Sequence, residues 1–144
     1  MSPFAVLPVR TPTLPPATHT NVYRLGDTVV DPASPEPEEQ ERVRAWAGPV
    51  RRILLTHHHQ DHIGGVGALA ATSGAQVWAH VDCRVAFPVH RRLQDGDTID
   101  TGAGTLLALH TPGHADGHLA YQLVGTGEVI AGDLVAGVGT IVLV

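Results

Sequence analysis

The chain has 144 residues and a net charge of -5, with 43% apolar and 4% aromatic residues. That length suits one domain able to bury a sizeable core, and the acidic balance gives no electrostatic reason to expect nucleic acid as a partner. One cysteine, Cys83, excludes an intrachain disulfide, and no stretch is long and apolar enough to cross a membrane as a helix, so the cytoplasm is the expected compartment.

Residues 1–19, with Pro3, Pro8, Pro12, Pro15 and Pro16, read as an extended, proline-stiffened arm, and residues 20–144 as one domain. Thr20 to Val30 alternates as a hairpin turning at Gly26-Asp27, and Asp31-Pro32 stops it. Ser34 as cap and Pro35 at the first position, followed by Glu36, Glu38 and Glu39, predict a helix that ends near Gly48. Val50 to Thr56 reads as a buried strand, Gly65 to Ser73 as a small-residue helix closed by Gly74, and Gln76 to His80 as the next strand. Leu93 to Asp100 reads as a turn at Asp95-Gly96 between short strands, and Thr105 to His110 as a strand. Leu119 to Val124 and Glu128 to Ala131 form a further hairpin. Helices and strands alternate early and strands pair later, which predicts a mixed sheet covered on one face by helices. The apolar ending Thr140 to Val144 needs a partner strand and a cover, from a longer chain or from a second chain.

The densest chemistry lies in His57-His58-His59-Gln60-Asp61-His62, between an apolar strand and Gly64-Gly65. Neutral imidazole and ionised carboxylate are ligands that a zinc-like ion takes, and residues two apart on an extended chain face the same way, so His57 and His59 can point together. The alternatives are a solvated loop with chance histidines or a tag, and an internal, interrupted run does not resemble a tag. Two later strand-end loops add His114, after Thr111-Pro112-Gly113, and Asp133, after Gly132. Three strand ends then offer ligands to one sheet edge, where metal and substrate sites gather. His58 and Gln60 alternate away from that face. His19, His80, His90 and His110 are expected at the surface or in ordinary packing, and Cys83 as a small buried apolar residue.

Taken together, Thr56 to His62, Thr111-Pro112-Gly113-His114 and Gly132-Asp133 resemble the metallo-β-lactamase-fold hydrolases in type and order. The resemblance runs from about Asn21 to the C-terminus. It implies an α/β (α+β) αββα sandwich with mixed sheets and helices outside, of which this chain supplies the first half and slightly more. It also implies a metal-dependent hydrolase acting on an ester, thioester or phosphodiester, with one or two zinc ions per chain, iron or manganese being the other candidates. By residue, His57, His59 and His114 would hold the first metal, Asp61 and His62 the second, and Asp133 would bridge both. Asp61 would also orient or receive the proton in catalysis. Asp31 would support the metal loop from behind the ligands, and His118 either joins it there or lies at the surface. Family members carry a further histidine for the second metal well beyond the bridging aspartate, and the chain ends at Val144 before that point, so the first site is the safer expectation. Two negative ligands against two divalent ions imply an anionic small-molecule substrate. Asp116-Gly117-His118 and Gly137-Val138-Gly139-Thr140 look most like the β-lactamase-like protein 2 branch, and Gly117-His118 with the three consecutive histidines also resembles glyoxalase II. The other readings are an iron-dependent persulfide dioxygenase and a metal-binding fragment or subunit that needs a complementing chain or a homo-oligomer.

Overall fold

The computed structural model describes residues 3–11, 19–112, 115–132 and the backbone of 141–142. The chain builds two sheets. The first contains β1 (Ala5–Arg10), β2 (His19–Leu25), β3 (Thr28–Val30), β4 (Arg52–Leu54), β5 (Gln76–His80) and β6 (Arg91–Leu93), neighbours in that order. Its first three strands are antiparallel, and β3 to β6 run parallel. The second sheet is antiparallel, with β7 (Thr98–Asp100), β8 (Thr105–His110), β9 (Leu119–Leu123), β10 (Val129–Ile130) and β11 (Ile141–Val142) in spatial order β11-β10-β9-β8-β7.

Side-chain alternation divides the first sheet between two cores. Val29, Ile53, Val77 and Ala79 face the helices α1 (Pro37–Ala47) and α3 (Val66–Ser73), meeting Val43, Ala47, Val66 and Leu69. Val30 and Leu54, one residue along, face the second sheet and pack with Ile99, Leu106, Leu119, Tyr121 and Ile130. The layers described are therefore helices, mixed sheet, antiparallel sheet, in agreement with the expected mixed sheet covered by helices on one face.

Three local expectations shift. Helix α1 starts two residues later than Ser34-Pro35 suggests: Glu36 is its N-cap and Pro37 occupies the first turn, while the Ser34 hydroxyl accepts the Glu36 N–H at 3.1 Å. Both prolines suit the first position of a helix, so the local signal was degenerate. Asp61 and His62 do not continue an extended loop but lie on a short helix, α2 (Gln60–Ile63). Finally, β6 and β7 do not pair across Asp95-Gly96: β6 adds to the first sheet and β7 to the second, so the turn carries the chain between layers.

Because β3, β4 and β5 are parallel, their C-terminal ends share one edge, which brings Asp31, Thr56-His57 and His80 together. The second sheet meets that edge through β9, where the Leu119 N–H donates to Thr56 O at 2.7 Å and the Tyr121 hydroxyl to Leu55 O at 2.6 Å.

Candidate metal centre

The site is organised around a buried carboxylate. Asp31 is 2% exposed and holds φ at 53°, a left-handed conformation that aspartate tolerates better than most residues. Its Oδ1 accepts the Thr56 backbone N–H at 2.8 Å, and its Oδ2 accepts both the Thr56 hydroxyl at 2.6 Å and His62 Nδ1–H at 2.8 Å. A glycine pair makes this reach possible. Gly64 and Gly65 donate to Ala33 O and Pro32 O at 3.0 and 2.8 Å, and a Cβ on either would lie 2.7 Å from those oxygens. Only without side chains there can α2 press onto the 32–35 segment and bring His62 to Asp31.

These bonds fix the tautomers of two histidines. The Thr56 hydroxyl gives its proton to Asp31, so it can only accept from His57 Nδ1, 2.8 Å away. His57 and His62 therefore both carry their protons on Nδ1 and present a lone pair at Nε2. A carboxylate behind an imidazole commonly has this effect, here directly for His62 and through a threonine for His57.

The ligand side is equally convergent. The rings of His57 and His62 lie 4.3 Å apart between centroids, and those of His57 and His59 4.8 Å. Donor atoms of His57, His59 and Asp61 all fall within 4.8 Å of one another, and Asp61 Oδ2 is 3.9 Å from His62 Nε2. His57 and His62 are buried while His59 and Asp61 are half-buried, so the cluster opens to solvent on the Asp61 side. Two or more neutral imidazoles and a carboxylate around a partly open position match the donor set that a zinc-like divalent ion takes.

Of the residues singled out from sequence, His57, His59, Asp61 and His62 come together here with Asp31 behind them. His114 and Asp133 lie outside the described residues. His118 is fully buried, with its ring 5.0 Å from that of His57 and its Nδ1 2.8 Å from the Thr111 hydroxyl. Gly132 packs against it so closely that a Cβ would lie 2.4 Å from His118 Nε2. His58 and Gln60 turn outward and line a surface groove with Ile63, Arg84 and Phe87. Sequence reasoning gave no role to Thr56 or Thr111. The available signal was a threonine at the start of both the Thr56 to His62 and the Thr111 to His114 segments. Burial raises the Cys83 thiol to about 11, and the nearby Asp31 charge adds to that effect. Tyr121, fully enclosed, is pushed well above the ordinary phenol value for the same two reasons.

Comparison with known proteins gives the family and the fold. The family described as the metallo-beta-lactamase superfamily matches residues 16–143. The chain is 42% identical over 113 residues to the hydroxyacylglutathione hydrolase of Methylobacillus flagellatus, covering 77% of this chain and 44% of that protein. It is 40% identical over 107 residues to the enzyme of the same name from Gloeobacter violaceus, covering 73% and 42%. The chain thus spans less than half the length of these relatives. Among solved structures it is similar to a metallo-beta-lactamase family protein from Thermus thermophilus, with a TM-score of 0.75 at 27% identity over 91% of this chain and 59% of that one. It is also similar to the BLEG-1 B3 metallo-beta-lactamase, with a TM-score of 0.72 at 26% identity over 90% and 71%. The glyoxalase II-like branch expected from the histidine motif agrees with the names of the curated relatives.

Proposed function

Because the chain belongs to the metallo-beta-lactamase superfamily, we propose that it is the metal-binding part of a zinc-dependent hydrolase of thioesters, with an anionic acyl-glutathione as the substrate type. The observation that carries this reading is the Asp31 anchor, which aims the Nε2 lone pairs of His57 and His62 towards His59 and Asp61. The thioester is brought by the curated relatives named hydroxyacylglutathione hydrolase.

His57, His59 and His114 are proposed to hold the first ion, with Asp61, His62 and Asp133 holding a second. A divalent ion in such a site activates water and polarises a carbonyl. The chain's own residues do the rest. Asp31 and Thr56 keep the two buried imidazoles in one tautomer, so no rearrangement is needed when ligands are called on. Asp61, half-buried at the open side, is placed to orient an attacking water and take its proton. With only Asp61 and Asp133 as negative ligands against two divalent ions, the site keeps a net positive charge suited to an anionic substrate.

The test is metal analysis of protein purified without added metal, alongside hydrolysis of S-lactoylglutathione, phosphodiesters and β-lactams. Zinc at one or two per chain with preference for the thioester supports the proposal. Iron alone, with oxygen uptake and no hydrolysis, would overturn it.

A further inference from the structure

A second histidine pair lies beside the candidate metal centre, one strand over. His80, at the end of β5, stacks on His110, at the end of β8, with ring centroids 4.0 Å apart and planes within 12° of parallel. Asp82 joins them, and donor atoms of the three fall within 4.8 Å. The arrangement is a stack rather than a chelate. In-plane lone pairs of near-parallel rings stay in separate planes and do not meet at one ion, and His80 Nδ1 already accepts the Asp82 N–H at 3.0 Å.

What the stack joins is more informative. His110 Nε2 donates to Asp116 O at 2.7 Å, and the His110 N–H donates to Asp95 Oδ1 at 2.8 Å. The base of the following loop is closed by Thr111 N–H to His118 O at 2.9 Å. Gly117 presses so hard on the turn after β5 that a Cβ would sit 2.5 Å from Cys83 N. The other side of that turn is tied down, with Cys83 N–H bonded to His80 O and Arg92 donating to the carbonyls of His80 and Cys83. The turn over residues 116–118, which ends on His118 and so on His57, is therefore docked on the β5 end, and the stack is the side-chain part of that dock.

We propose that the His80–His110 stack is a positioning contact that holds residues 116–118 on the β5 end and seats His118 against His57, and that acid releases it. The neutral form of His80 is built into the dock. A proton on Nδ1 would face the Asp82 N–H donor to donor, in a residue that is 4% exposed. Burial first, and then His110, lowers the pKa of His80, with Arg92 acting in the same direction and Asp82 and Asp95 opposing. A histidine lowered on docking contributes fully above its undocked value of about 6.5, and its contribution is lost as pH falls through the lower docked value. For the site, the consequence rests on the metal-dependent reading above; the dock itself does not.

Hydrogen exchange of the peptide covering residues 110–120 tests this on the full chain, with bound metal measured in each sample, between pH 7.5 and 5.5. After correction for intrinsic exchange, wild-type protection should fall by up to ~tenfold per pH unit between the undocked value of about 6.5 and the lower docked value of His80, and level off below it. His80→Phe, which keeps a stacked ring without a titrating nitrogen, should hold its protection across the range. His80→Ala should lose it at both ends. Flat wild-type protection, or a parallel fall in His80→Phe, would overturn the proposal. If His80→Phe does not fold, the wild-type series alone still decides. A chain that binds no zinc yet shows this pattern refutes the hydrolase and keeps the dock; normal zinc with flat protection does the reverse.

Discussion

Replacing Asp31 separates what holds the fold from what prepares the ligands. In Asp31→Asn the remaining oxygen can keep the Thr56 N–H, which puts the amide nitrogen where Oδ2 accepted from the Thr56 hydroxyl and His62 Nδ1. That nitrogen donates to both partners, so His62 must accept at Nδ1 and carry its proton on Nε2. The Thr56 hydroxyl, now accepting, turns its own proton to His57 Nδ1, which inverts that ring as well. Every bond survives in neutral form, so the loss is that of charge assistance, about 1 kcal/mol for each of the three bonds to the carboxylate and roughly 3 in total. Asparagine also tolerates the left-handed backbone. Zinc affinity should fall much further, by ~10–100-fold for each ring that must return to its other tautomer against the amide. Asp31→Ala gives the opposite balance. Three donors lose a buried acceptor, at ~1–3 kcal/mol each, but the rings are free to choose their tautomer. Urea unfolding of both variants, with zinc competition against a chromophoric chelator, reads the two effects separately. If Asp31→Asn binds zinc as the wild type does, the tautomer relay is wrong.

Asp61→Ala should abolish hydrolysis while leaving zinc at the first site, measured by turnover and metal content together; undiminished turnover would remove Asp61 from the reaction. Gly117→Ala drives a methyl into the Cys83 backbone and should cost ~1–3 kcal/mol in denaturant unfolding, and a neutral result would mean the loop is not docked as described. With its thiol raised to about 11 by burial, Cys83 should react with Ellman's reagent at pH 8 roughly 100-fold more slowly in native protein than in urea. Glu39 is expected to contribute to acid stability. Burial alone would raise its carboxyl, but hydrogen bonds from the Arg10 N–H and the Arg42 guanidinium hold it below 4.5. Its stabilisation is thus present above that value and lost as pH falls through the lower folded one, so Glu39→Gln should flatten the pH dependence of unfolding below about pH 4.5.

How much of this was legible in the chain depends on the range over which each signal acts. The convergence of His57 and His59 could be read because residues two apart on an extended segment share a face, and the two rings obey that rule. The parallel order of β3, β4 and β5, which brings Asp31 to the cluster, is not written locally, and Asp31 entered only through the family likeness. Asp95-Gly96 signalled a turn correctly but could not say that its flanking strands belong to different sheets. The pairing of His80 with His110 was missed for a related reason: each looks like an ordinary histidine at a strand end, and only the stacking of the two sheets makes them neighbours. Tautomers fall outside sequence reasoning altogether, because they follow from which oxygen the Thr56 proton faces.

The outer edge of the first sheet carries a separate consequence. Among the described residues, strand β1 has no neighbour beyond it, and an open strand edge invites pairing with another molecule. Its pairing with β2 turns Val6, Pro8 and Arg10 outward. Pro8 has no N–H to offer, its carbonyl is covered by Arg42 at 3.5 Å, and the Arg10 N–H is taken by Glu39 at 2.8 Å. An incoming strand would therefore find one usable donor, at Val6, and a charged helix across the rest. A proline and one glutamate leave this margin a poor template for fibrillar growth.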